Sequence, residues 1–394
     1  MLRYITGLIQ CKKVWVKPKH KKCLILDART GKPLHCIIDR KDIAELFNPL
    51  QKLNIYVIIH CLFKRKATIL NYYEEYIRHV KPRVVITLND HAKEFYQLKI
   101  RFPKIIFIAV QSSWREKKIF DNKNVDLKCD YYLAFNDEWG KIIKNSICCK
   151  IITAGSFIGN AILGKQKRIK HKIKQLSFIS EFRKESNILQ LMLKKHDGSM
   201  ASWDDLYSLE KLILPILHRF CLTNKIKLNI IGAKPQNHNE ELDFFKRILP
   251  PTGWVFRPRI KWFSSYEKIN SSDFVVFINS TLGYESFASG KRIACISARS
   301  RWIAGFNDRK FGWPNKLPRS GFCWTNQGGQ KEICRVIKNL LTKTDLKTRN
   351  KLRNIAKKIM VFDRGNQKLI KLLRKNGITT KSDFSILVPY QSAG

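Results

Sequence analysis

Residues Ser271 to Ser297, SSDFVVFINSTLGYESFASGKRIACIS, constrain the fold of this chain more than any other stretch, because they predict strand, tight turn, helix and strand in succession. Phe274 to Ile278 is an unbroken run of apolar, β-branched and aromatic residues. That is the pattern of a strand buried on both faces of a parallel sheet. Ser280 and Thr281 follow as N-cap residues, and Gly283 permits close approach of backbone to a ligand. Glu285 is expected in the first helical turn, Gly290 ends the helix, and Arg292 to Ser297 restarts a strand. A helix N-terminus opened by hydroxyls at the carboxyl end of a parallel strand suits a phosphate. Ligands of open α/β sheets collect at that edge, and Glu285 would then reach a ribose hydroxyl. On the residues alone, an ordinary βαβ turn with a good cap and nothing bound fits equally well.

The same alternation extends along the chain. In the first half, strands are expected at Lys22 to Leu26, Ile55 to Cys61, Val84 to Leu88, Ile105 to Val110, Tyr131 to Phe135 and Ile151 to Ala154. Helices are expected at Lys41 to Leu53, with Asp39 as cap, at Thr68 to Val80 and at Ala92 to Phe102. In the second half, strands at Leu176 to Ile179, Leu228 to Ile231 and Phe274 to Ile278 alternate with helices. Those helices span Asp204 to Leu222, Glu240 to Leu249, Lys331 to Leu341 and Asp345 to Val361. Regular β-α alternation predicts parallel sheets covered by helices. With 394 residues, two domains of ordinary size are expected. The basic, aperiodic segment KQKRIKHKIK marks the boundary. The predicted division is an N-terminal domain over 1–164, a linker over 165–175, a C-terminal domain over 176–342, C-terminal helices over 343–382 and a tail over 383–394.

Charge narrows the partners. There are 75 Lys and Arg against 31 Asp and Glu, a net charge of +44. Anionic partners follow: an acidic membrane surface, an acidic or phosphorylated glycan, or nucleic acid. A compositional bias toward Lys, Ile and Asn explains the same excess, since the lysines are scattered and form no long tail. Eleven cysteines, an odd number without a Cys-x2-Cys pair, predict reduced core residues of a cytosolic protein. MLRYITGLIQCKK has too short an apolar centre for a signal peptide, and no apolar run approaches a membrane span. A cytoplasmic protein, in part peripheral on the inner face of the membrane, is expected.

INSTLGYESFASGKRIACIS resembles the C-terminal signature of a family of surface-carbohydrate biosynthesis proteins, transferases of the two-domain GT-B type. KPRVVITLNDHAKEFYQLKIRFPKIIFIAVQ, ITAGSFIGN, LSFISEFR and FGWPNKLPRSGFCW resemble further pieces of that family, in the same order, across roughly residues 80 to 340. The resemblance implies two Rossmann-like parallel-sheet domains facing a central cleft. It implies a sugar moved from a nucleotide-activated donor to a surface glycan or lipid-linked acceptor, with no cofactor and no metal. Donor contacts are then expected from Ser180, Arg183, Lys234, Ser280, Thr281, Gly283 and Glu285. Arg183, just after a strand end, has the chemistry to fork onto a diphosphate and stabilise the departing nucleotide. A surface ion pair is the bland alternative. Asp90 and His91 end a strand of the first half, and the unperturbed pKa of an imidazole suits His91 to the work of a general base. Asp90 would serve as base, would orient His91, or would merely cap the following helix. Gln111 and Trp313 are expected at the acceptor or cleft, although Trp313 also suits core packing. Where the family has Gln-Asn-Gly, this chain has Gln111-Ser112-Ser113.

Other classes fit less well. The chain has no GxxxxGK[ST] loop, no GxGxxG turn, no strand-end Asp-x-Asp and no Gly-x-Ser-x-Gly elbow. No basic-aromatic strip or nucleic-acid motif accompanies the charge. A polyol-phosphate transferase or nucleotide-sugar epimerase on the same fold is the near alternative. A basic nucleic-acid- or glycan-binding protein without catalysis is the distant one.

Overall fold

Short runs of β-branched and aromatic residues with no exposed face become the central strands of two parallel sheets. The structure, a computed structural model, describes residues 11–65, 68–114, 126–164, 174–186, 192–261 and 263–381. It divides into two units. The first contains Met1–Ser112, Lys117–Ala161 and Asp363–Gly394; the second contains Ser113–Glu116 and Ile162–Phe362. The stretch 165–173 and the tail expected over 383–394 lie outside the described residues.

The strands of the first unit are β1 (Lys12–Val14), β2 (Cys23–Leu26), β3 (Ile43–Leu46), β4 (Lys52–Asn54), β5 (Val84–Thr87), β6 (Ile106–Val110), β7 (Lys128–Ala134) and β8 (Cys148–Thr153). Six of them form one sheet in the order β3-β2-β5-β6-β7-β8, and β1 pairs with β4 separately. Every pairing is parallel. Strands β2 and β5 are buried along their whole length, as sheets covered on both faces require. The order reverses direction between β2 and β5, which makes that edge the switch point of this sheet. Its longer helices before the unit boundary are α1 (Ile55–Phe63), α2 (Ile69–Val80), α3 (Lys93–Arg101), α4 (Asp137–Lys144) and α5 (Phe157–Ile162), the last ending at that boundary.

Two assignments in this unit are corrected. Lys41 to Leu53 is not a helix: Asp39 caps only a 3-10 turn over Arg40–Asp42, and Ile43–Leu46 pairs with β2 as an edge strand. Pairing with a buried neighbour overrides the helical spacing of Ile43 and Leu46. Ile55 to Cys61 is not a strand but the body of α1, started by Asn54, whose side chain accepts from the Val57 N–H at 3.1 Å. A short apolar run does not by itself distinguish the two states.

The second unit has strands β9 (Gln175–Ile179), β10 (Lys227–Ile231), β11 (Trp254–Arg257), β12 (Phe274–Phe277), β13 (Arg292–Ile296) and β14 (Trp324–Thr325). They form one parallel sheet in the order β11-β10-β9-β12-β13-β14, with its switch point between β9 and β12. Its helices are α6 (Trp203–Thr223), α7 (His238–Ile248), α8 (Ser264–Ser271), α9 (Thr281–Ala288), α10 (Gln330–Lys338) and α11 (Leu346–Ile359). Helix α6 starts with a capping box between Ser202 and Asp205 and carries Pro215 inside it. Leu206, Leu209, Ile213, Leu214 and Leu217 face the sheet.

The helices expected together over 343–382 divide between the units. Helix α11 stays with the second, whereas α12 (Gln367–Lys375) packs Leu369, Leu372 and Leu373 into the core of the first sheet. Asn366 secures the return, donating from its amide to the Phe157 carbonyl at 2.8 Å. The apolar stripe of α12 matches the first core, so a boundary drawn on sequence continuity misses it.

Candidate functional site

The carboxyl edge of the second sheet holds most of the expected donor contacts. Strand β12 ends at Phe277, and Ser280 takes the N-cap position of α9 with extended backbone. Its side chain makes no cap hydrogen bond, so the hydroxyl capping expected there is not seen. Thr281 is engaged instead from Trp114, whose N–H donates to Thr281 Oγ1 at 3.2 Å. The Trp114 indole stacks on Tyr284 at 4.3 Å, Tyr284 on Phe311 at 5.6 Å, and Phe311 on Trp324 at 5.3 Å. This aromatic column fixes the first turn of α9 against β14. Nothing in the Gln-Ser-Ser-Trp sequence marks Trp114 for that role.

Gly283 serves packing. A Cβ built there would lie 2.1 Å from Phe277 Cγ, so α9 approaches its own strand closely at this glycine. Glu285 is also displaced from expectation. It opens the second turn of α9, not the first, and is 2 % exposed. The Tyr266 phenol of α8 hydrogen-bonds to it; burial first, and then this carboxylate, push the Tyr266 pKa up.

At the end of β9, Ser180 is buried, its Oγ accepting from the Phe182 N–H at 3.1 Å and bonding Glu241 of α7. Glu241 also accepts from the Ala233 N–H with both oxygens, at 2.9 and 3.1 Å. Burial pushes the Glu241 pKa up to about 7. Arg183 is exposed, while its backbone is pinned by the Tyr207 hydroxyl, which accepts from its N–H at 2.6 Å, and by the Trp203 indole, which donates to its carbonyl at 2.9 Å. Lys234 is exposed just beyond β10. Lys234, Arg183 and the α9 N-terminus thus follow three neighbouring strands, β10, β9 and β12. All three present positive charge or positive dipole on one edge.

Beneath them lies an ionic strap that the sequence reading did not single out. Glu181 Oε1 accepts from the Asn279 N–H at 2.6 Å, joining the ends of β9 and β12 across the switch point. Its other oxygen pairs with Arg299, which follows β13, and Arg299 also pairs with Glu210 of α6. The Arg299 Nε donates to the Leu206 carbonyl at 3.1 Å. Glu210 is fully enclosed, and burial pushes its pKa up to about 7. One signal was available: Glu210 falls on the apolar stripe of α6 and therefore needs a buried partner.

Trp313 lines a cavity of about 650 Å³ beside the ends of β13 and β14. Arg301, Lys310, Lys316 and Arg319 share that lining, with no carboxylate among the lining residues.

The first unit handles its strand ends differently. Asp90 has no exposed surface. Its carboxylate accepts from the Tyr132 hydroxyl at 2.9 Å and from the Ser112 hydroxyl at 3.1 Å. It does not cap α3, whose N-cap is Ala92 with no side-chain bond. Gln111 is equally buried and accepts from the Phe135 N–H at 2.9 Å, joining β6 to β7. Both residues tie strand ends together. His91 is exposed. A set able to surround a cation lies on α1 and α2, where ligand atoms of His60, Glu75 and His79 fall within 4.8 Å of one another. The Lys64 ammonium already sits 2.7 Å from Glu75 there.

A family described as "putative O-antigen biosynthesis protein" matches residues 108–377. No curated protein matches the chain in sequence. Among solved structures, the wall teichoic acid polymerase TagF aligns at 10% identity with a TM-score of 0.50, over 91% of this chain and 90% of that one. The UDP-GlcNAc 2-epimerase of Methanocaldococcus jannaschii aligns at 12% identity with a TM-score of 0.49, over 90% and 99%. The sucrose-phosphate synthase of Thermosynechococcus elongatus aligns at 11% with a TM-score of 0.45, over 90% and 99%. At such identities the likeness concerns the fold, two parallel-sheet domains of the GT-B type.

Proposed function

Since the chain belongs to this O-antigen biosynthesis family, we propose that it is a glycosyltransferase moving a sugar from a nucleotide-activated donor to a surface glycan or lipid-linked acceptor. The observation that carries this reading is the row of Lys234, Arg183 and the α9 N-terminus along the switch-point edge of the second sheet. A nucleoside diphosphate matches it in charge and in place. As the bond from the anomeric carbon to the diphosphate oxygen breaks, the electron pair goes to that oxygen. Arg183 and the helix dipole stabilise the charge that develops there, so the reaction needs no metal and no cofactor. On the first unit, His91 is exposed and Asp90 is not, so His91 is the candidate for the base that takes the acceptor hydroxyl's proton.

The test is thermal stabilisation of the pure protein by a panel of nucleotides and nucleotide sugars. A shift confined to one nucleotide family, and lost in Arg183→Ala, supports the transferase and names its donor class. No shift with any nucleotide rejects it. The basic cavity around Trp313 favours a second reading, a polyol-phosphate transferase, whose substrates carry phosphate into that space. Transfer assays with a nucleotide-activated polyol phosphate beside nucleotide sugars separate the two.

A further inference from the structure

We propose that the face formed by the end of β1, helix α1 and the start of α2 docks the protein onto a bilayer rich in anionic lipid. Helix α1, IYVIIHCLF, is apolar almost all the way round. Val57 and Cys61 are buried on one side. At 100° per residue, Ile59, Leu62 and Phe63 point to the opposite side, where they are 43%, 58% and 84% exposed. A helix apolar on all faces belongs in a core or at a membrane, and this one is not in a core.

Neighbouring elements extend the patch. Strand β1 pairs with β4, whose last residue, Asn54, both caps α1 and donates to the Val16 carbonyl at 3.0 Å. Trp15 and Val16, 68% and 66% exposed, therefore lie beside the first turn of α1. Ile69, 47% exposed, opens α2 beside the C-terminal end of α1. Soluble surfaces seldom gather this many large apolar side chains in one place.

Charge selects the partner. The chain has no carboxylate from Cys11 to Leu26, nor from Ile55 to Tyr73. Lys12, Lys13 and Lys17 flank the β1 side and Arg65 the end of α1, all exposed, while Lys64 beside Arg65 is paired with Glu75. Apolar side chains at the centre and cations at the rim match the acyl boundary and phosphates of an anionic leaflet. Nine residues of helix reach only about 14 Å, under half the hydrocarbon thickness, and no helix among the described residues is long and apolar enough to cross a membrane. The contact is interfacial. It is independent of the transfer reaction, and its test reads binding alone.

The full chain is sedimented with phosphatidylcholine vesicles, with and without phosphatidylglycerol. A protein of net charge +44 adsorbs to anionic vesicles through any face, so the deciding variants are apolar. Leu62→Ser/Phe63→Ser should weaken partitioning into the anionic vesicles by about tenfold or more while leaving the melting temperature unchanged. Lipids brominated on the acyl chain should quench tryptophan emission in the wild type, and Trp15→Phe should remove most of that quenching while sedimentation persists. Equal binding by the double variant, no quenching, or no binding of the wild type to anionic vesicles overturns the proposal. So does a dimer in solution that the same double substitution dissolves, because the face then meets a second copy.

Discussion

The two sheets end their strands in opposite ways. In the first unit, the polar residues at the carboxyl ends of β5 and β6, Asp90 and Gln111, are turned inward and accept hydrogen bonds from Tyr132, Ser112 and the Phe135 N–H. In the second, the strand ends are built in two layers. Glu181, Arg299 and Glu210 make a buried ionic strap, and above it Arg183 and Lys234 are left to solvent beside the uncapped start of α9. Polar residues at a strand end therefore do not mark a binding site by themselves. What distinguishes the second edge is that structural duties fall to one set of residues and exposed charge to another. An exposed cation on a loop held by buried partners loses little freedom when an anion arrives.

The sharpest way to break this contrast is to cut the strap. Arg299→Ala leaves two carboxylates facing each other without a counter-ion, one of them fully buried. The expected loss is about 3–5 kcal/mol in urea unfolding. A loss near zero would mean that the strap relaxes into water and that the layered description of the second edge is wrong. In the first unit, Asp90→Ala strands the buried Tyr132 hydroxyl and should cost about 1–3 kcal/mol. If Asp90 only ties strands together, Asp90→Asn, which keeps an acceptor, should recover most of that stability and most of the activity. Recovered stability with no activity would instead assign the carboxylate to proton transfer.

Much of this arrangement was legible in the sequence and some was not, for physical reasons. The strands Val84–Thr87, Phe274–Phe277 and Arg292–Ile296 each hold an unbroken apolar stretch (84–86, 274–277 and 293–296) between turn residues, so their burial follows from composition. The segment 41–61 exchanges helix for strand because both of its halves are short, and tertiary pairing decides them. The α9 turn was visible as a local motif, although the roles of its residues were not. Gly283 meets Phe277 and Thr281 meets Trp114, 167 residues earlier in the chain. Arg299 joins Glu181 and Glu210 across 118 and 89 residues, distances at which pattern carries no information about pairing.

A pH titration sharpens the contrast at smaller amplitude. Burial raises the Glu241 pKa from an ordinary 4.5 to about 7. The folded state then binds more protons than the unfolded chain between those values, so this group's contribution is full below about pH 4.5 and is lost as pH rises through about 7. The wild type should lose about 2–3 kcal/mol over that window from this group. Glu241→Gln, which keeps an acceptor for the Ala233 N–H, should flatten the profile. An unchanged slope would place the carboxylate in contact with water.

The smallest expected effect on stability is also the one that tests function most directly. Arg183 is exposed, and its loop is held by its own backbone through Tyr207 and Trp203. Arg183→Ala should therefore change the unfolding free energy by less than about 0.5 kcal/mol. The same change should abolish stabilisation by the nucleotide and lower kcat/KM by about a hundredfold, as loss of a cation facing a developing phosphate charge does. Arg183→Lys should recover part of the binding but less of the rate, because a single ammonium cannot fork onto two oxygens. If Arg183→Ala binds and turns over like the wild type, the exposed layer of the second edge has no part in the reaction. The basic cavity beside β14 would then be the place to look for the anion.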